Sequence, residues 1–222
     1  METPIGHALK SDSFGSWVGV IASSLVVSLS LALTSAGQLT QARQYSLAAV
    51  VVAVFGLLAV KNRDRKSFGF RLSPIQGWYY WMKMTILLGA IMFIVLAAAA
   101  AIALGILRFR VPHSQFQSPH IWPAFYWMCI YAPLTEEMIY RLAVCPPMTA
   151  RFGEKAAIAI SGITFAAVHV LGGNPGPDNQ LAGFILAWAF LKSGSLAVPL
   201  ALHSLGNLCA LAFHVAWFYW SQ

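Results

Sequence analysis

Seven apolar stretches, separated by short polar or turn-forming segments, run along this chain. They cover about Trp17 to Leu33, Tyr45 to Val60, Lys83 to Leu107, Ile121 to the Pro146-Pro147 pair, Lys155 to Leu171, Leu181 to Leu191, and Leu196 to Trp220. At 1.5 Å per residue, the third is more than enough to cross roughly 30 Å of hydrocarbon. The pattern predicts an all-α fold, a polytopic transmembrane helix bundle of about seven to eight helices, with the eighth arising if the long third or fourth stretch is split. Ser73-Pro74 predicts a helix start ahead of the aromatic belt Trp78-Tyr79-Tyr80-Trp81. Pro146-Pro147 is expected to stop the fourth helix, Arg108 to Pro123 and Gly172 to Asn179 read as loops, and Pro199 falls in the first turn of the last helix. The sequence shows no internal repeat.

Composition sharpens the class. The chain of 222 residues is 59% hydrophobic and only 9% charged, with a mean hydropathy of +0.68, where soluble domains carry about 25% charged residues. The net charge of +7 does not mark a nucleic-acid-binding protein, because no basic stripe alternates with aromatic residues. It reflects loops held on one side of a membrane. Lys10, Lys61, Arg63, Arg65, Lys66, Arg71, Arg151, Lys155 and Lys192 fall on one face, and Arg43, Arg108 and Arg110 on the other. That bias places the N-terminus in the cytoplasm. Residues 1–16 then read as a cytoplasmic tail and 17–222 as the transmembrane domain. The first apolar run is long for a signal peptide and its basic flank is weak, so it is expected to stay as a helix. Cys129, Cys145 and Cys209 lack metal-binding or redox spacing and read as small buried apolar residues.

Against this background a few polar residues stand out. Glu136 and Glu137 lie in an apolar stretch with Arg141, where charged side chains are expensive. On a helix, Glu137 and Arg141 share a face, and Glu136 points about 100° away, free to face a cavity. His169 lies within the fifth stretch; His203 and Asn207 lie four apart in the seventh. Helix rise puts Glu136, His169 and His203 roughly 12–22 Å from the inner ends of their helices, near the bilayer middle. A Glu-Arg pair alone can lock two helices together, and a lone histidine is often only a structural hydrogen-bonder. Polar groups at one depth on three helices are better accommodated in a shared, hydrated pocket. His214 reads as structural or interfacial and Lys83 as a snorkelling lysine. His7, His113 and His120 belong to the tail or loops.

The motifs Glu136-Glu137-x-x-x-Arg141, Phe165-x-x-x-His169 and His203-x-x-x-Asn207, in this order and with Gly194-Ser195-Leu196 ahead of the last, resemble the signature of the CPBP (Abi) family. These are intramembrane endopeptidases related to the type II CAAX prenyl protease. The resemblance covers about residues 121–210; the first 120 residues match only as generic spans. It implies that Glu136 activates water with help from His169, that His203 and Asn207 hold the oxyanion, and that Glu137 and Arg141 brace the site. It implies no cofactor. A zinc ion held by Glu136, His169 and His203 is the alternative. The expected partners are membrane lipid and a membrane-associated protein or peptide substrate, with no nucleic acid. The expected setting is a bacterial inner (plasma) membrane. A non-catalytic scaffold or bacteriocin-immunity factor is the alternative function. A transporter is disfavoured by the missing repeat.

Overall fold

The computed structural model describes residues 4–10, 13–61, 64–106 and 121–220. Helix α1 spans Ser13–Ser35, α2 Gln41–Lys61 and α3 Trp78–Ala101, with one π-helical stretch, Ile102–Ile106, continuing α3. The fourth helix, α4, runs without interruption through Ile121–Phe125, Tyr126–Tyr131, Ala132–Glu137 and Met138–Ala143, the second and fourth of these being π-helical. Then come α5 Cys145–Phe152, α6 Glu154–Leu171, α7 Pro177–Ser193 and α8 Ala197–Trp220. No strand occurs among the described residues. The protein is an all-α helical membrane bundle.

Among the described residues, four helices are long and apolar enough to cross a bilayer, α1, α3, α6 and α8. The other apolar stretches, α2, α4 with α5, and α7, carry much of the buried core. In α2, Leu47, Ala48, Val51 and Phe55 are buried. In α7 seven residues, including Gly183, Leu186, Ala187 and Phe190, are buried. In α4 and α5 every residue from Ile139 to Met148 is buried. A segment surrounded by protein does not need a full-length lipid-compatible surface.

Three local expectations are corrected. Pro74 does not start a helix: Gly77 N–H closes a turn on the Pro74 carbonyl, and α3 begins at Trp78, so the aromatic belt is helical. Pro146-Pro147 does not end a helix but opens one, since both fall in the first turn of α5, where a missing N–H is harmless. The split of the fourth stretch occurs at Val144. Likewise α7 starts at Pro177, with Asp178 in its first turn, and the preceding loop is correspondingly shorter. Cys129 and Cys145 are buried as expected, but Cys209 is exposed on α8; all three are free thiols. His113, His120, Arg63, Arg108 and Arg110 lie outside the described residues.

Two devices draw the helices together. Ser16, Ser23 and Ser30 recur every seven residues on α1, and all are buried. Ser23 Oγ bonds the Ala143 carbonyl and Ser30 Oγ lies 2.9 Å from the Tyr140 hydroxyl, tying α1 to α4. Helices α6 and α7, the most extensively packed pair, cross at Gly162 and Gly183. A Cβ on Gly183 would lie 2.9 Å from the Gly162 carbonyl oxygen and 2.9 Å from Phe165 Cβ. Gly183→Ala is therefore expected to destabilise the bundle by about 1–3 kcal/mol, read as a lower unfolding midpoint in detergent; an unchanged midpoint would contradict this crossing.

The tail is folded. His7–Lys10 forms a short helix, Ile5 and Leu9 are 1% exposed, and Gly6 N–H bonds the Ser67 carbonyl at 2.8 Å. Ile75 N–H bonds the Ser193 carbonyl and Leu196 N–H the Gly69 carbonyl. The tail, the 64–77 segment, α5 and the α7–α8 turn thus gather at one end of the bundle.

Candidate active site

Glu137 and Arg141 are both fully buried, with Arg141 Nε 2.9 Å from Glu137 Oε2, one turn apart on α4. The contact is a close ion pair rather than an aligned hydrogen bond, since neither atom has a hydrogen-bond partner among the described residues. Arg141 Nη1 donates to Ser161 Oγ at 3.1 Å, and Ser161 Oγ donates to the Tyr140 carbonyl at 2.8 Å. The guanidinium also stacks over Phe165, 5.0 Å from the ring centroid. This cluster joins α4 to α6.

The other oxygen of Glu137 reaches α8. Its Oε1 accepts a hydrogen bond from His203 Nδ1 at 2.8 Å, fixing that ring. His203 Nε2 then faces Glu136, 3.9 Å from Oε2. His169 approaches the same oxygen from α6, its Nε2 4.0 Å away. Its Nδ1 donates to the Phe165 carbonyl at 2.9 Å, and its ring stacks on Phe165, with centroids 4.3 Å apart. Phe165, itself fully buried, also meets His203 edge-on at 5.8 Å. One aromatic residue thus sets both imidazoles.

Glu136 is partly open, with its side chain 15% exposed. Its Oε2 is buried and has no hydrogen-bond donor among the described residues. The two Nε2 atoms stand too far off for direct hydrogen bonds. Glu136 and His169 line a cavity of about 380 Å³. Its other walls include Thr34 at the end of α1, Gln44 in the first turn of α2 and Asn174 after α6. The structure therefore brings Glu136, Glu137, Arg141, His169 and His203 together from three helices.

Asn207 is placed differently. Its Nδ2 donates to the Met128 carbonyl at 2.6 Å. The cause lies in α4: Ala132 N–H bonds the Trp127 carbonyl, and the next residue, Pro133, has no N–H, so Met128 lacks a helical donor. One hydrogen of the Asn207 amide fills that gap. The π-helical stretches on either side of Ala132–Glu137 adjust the rotation of the acidic turn, a common use of such stretches near functional sites. Sequence reasoning missed Ser161 and the Glu137–His203 bond. It also missed Gln44 and Thr34, which come from helices that carry no motif.

A zinc ion bound at about 2.0–2.2 Å by Glu136, His169 and His203 would bring its donor atoms to roughly 3.3 Å of one another. The observed 3.9 and 4.0 Å exceed that. Among the described residues, no three His, Cys, Asp or Glu side chains are grouped to hold a metal.

Fold and site together define an integral membrane protein whose polar centre combines two glutamates, two histidines and an arginine. Residues 118–209 match the family model described as type II CAAX prenyl endopeptidase Rce1-like, a segment that contains all three motifs. The matched segment agrees with the family to which those motifs pointed, a family of CAAX-type proteases. No curated protein and no solved structure matches the chain.

Proposed function

We propose that the protein is an intramembrane endopeptidase that hydrolyses a peptide bond of a membrane-associated protein or peptide through a water activated by Glu136. The observation that carries this is Glu136 Oε2, a buried carboxylate oxygen without a donor, flanked by two imidazole nitrogens and facing a cavity. Leaving such an atom unpaired costs about 1–3 kcal/mol or more, which is sensible where it receives a proton during turnover.

In this reading Glu136 takes a proton from water, and the water oxygen attacks the scissile carbonyl carbon. His169, with Nδ1–H committed to Phe165, offers Nε2 to orient that water. The carbonyl oxygen becomes an oxyanion, held by Nε2–H of protonated His203 and by the second amide hydrogen of Asn207. Collapse breaks the C–N bond, and the proton on Glu136 passes to the leaving amine. Glu137 and Arg141 orient His203 and leave Glu136 free. No metal enters this scheme.

Membranes from cells carrying Glu136→Gln are expected to accumulate an uncleaved precursor absent from wild-type cells. Peptide profiles that do not change would overturn the reading and favour a scaffold or immunity factor. Purified protein is expected to keep its activity in EDTA or phenanthroline; inhibition reversed by zinc would replace the Glu136 scheme with a metal one.

A further inference from the structure

We infer that the catalytic pocket is entered from the membrane face opposite the basic loops, and that its substrate is an extracytoplasmic segment of an exported or membrane-anchored peptide. The chemistry in the pocket rests on the endopeptidase reading; the direction of entry rests on geometry.

The walls of the cavity fix its mouth. Thr34, Leu39, Gln44, Leu171 and Asn174 all line it, and they sit where α1 ends, α2 begins and α6 ends. His169 lies only two residues from the end of α6, so the reacting groups are close to this side. At the other end the route is filled. Below Glu137, residues 139–148 are buried without a break. Ile5 (1% exposed) packs in one cluster with Val144, Phe190 and Leu191, and Leu9 in another with Phe68 and Leu142. A peptide presented from that end would have to unpack two core clusters to reach Glu136.

Charge gives these ends their sides. Lys10, Lys61, Arg65, Lys66, Arg71, Arg151, Lys155 and Lys192 belong to the packed end, whereas Arg43 is the one lysine or arginine at the open end among the described residues. An excess of lysine and arginine stays in the cytoplasm. The sealed end is then cytoplasmic, and the mouth faces outward. Thr34, Gln44 and Asn174 offer hydrogen-bonding groups there to an extended backbone.

The test uses the full chain in intact cells or spheroplasts. Cys209→Ser removes the exposed thiol, Cys129 and Cys145 being buried, and Asn174→Cys or Lys192→Cys is added at an exposed position. A membrane-impermeant maleimide is expected to label Asn174→Cys in intact cells and Lys192→Cys only after lysis. In a further variant, Thr34→Cys, the same reagent applied outside is expected to reduce processing of the Glu136-dependent precursor at least tenfold. Absence of labelling at Asn174→Cys in intact cells, with labelling after lysis, overturns the direction of entry even if a precursor is cleaved. Unchanged peptides in Glu136→Gln cells overturn the endopeptidase reading, and the substrate with it, whatever the labelling shows.

Discussion

Purified Glu136→Gln protein is expected to cleave its precursor about a hundred- to ten-thousand-fold more slowly than wild type, with its unfolding midpoint in detergent little changed. The amide keeps the shape of the carboxyl group but cannot take a proton from water. Stability should hold because Glu136 makes no close ion pair: both imidazole nitrogens stand about a water's width away, at 3.9 and 4.0 Å. The loss should fall on kcat rather than KM, since the group acts on the water. Turnover within threefold of wild type would end the proposal that Glu136 is the base.

Arg141→Ala should do the opposite, damaging the fold first. It removes the cation from a pair in which both side chains are at most 1% exposed, leaving the Glu137 carboxylate to His203 alone. Breaking one side of a buried pair costs about 3–5 kcal/mol. It also strips Ser161 Oγ of a donor and Phe165 of its stacked cation. The expected readout is a large fall in the unfolding midpoint and rapid proteolysis in detergent. Activity should be lost as well, because Phe165 and Glu137 position both histidines. Replacing the pair together, as Glu137→Gln with Arg141→Met, is expected to recover part of the stability but not the activity, since His203 then loses its carboxylate anchor. A double variant no more stable than Arg141→Ala would show that the charge pair is not the source of the loss.

Much of the site can be read from the chain because polar side chains are rare in its apolar helices. The four-residue spacing of Glu137 and Arg141 sets their pairing, and the step to Glu136 turns that residue towards the cavity, as the structure shows. Spacing alone does not reveal which partner each group has when the partner lies on another helix. His203 looks from sequence like a companion of Asn207, one turn away. In space its Nδ1 is tied to Glu137, 66 residues earlier. Asn207 bonds Met128 because a proline five residues further along α4 leaves that carbonyl without a donor, an effect of π-helical register that no periodicity announces. The fold shows the same division. The helices are legible from hydropathy, but their surroundings are not: α7 and the second half of α4 look like lipid-facing segments, yet much of their surface is covered by protein.

The hydrogen bond from His203 to Glu137 links residues made far apart in time. When α4 leaves the ribosome, Ser161 has not yet reached the membrane and His203 has not been made, and the acidic turn must enter the bilayer without them. Its own Arg141, one turn on, supplies the counter-charge during that interval. The ion pair thus acts as a built-in escort for biosynthesis before it becomes a support for the finished catalyst, and the reactive pocket cannot assemble until the last helix is inserted.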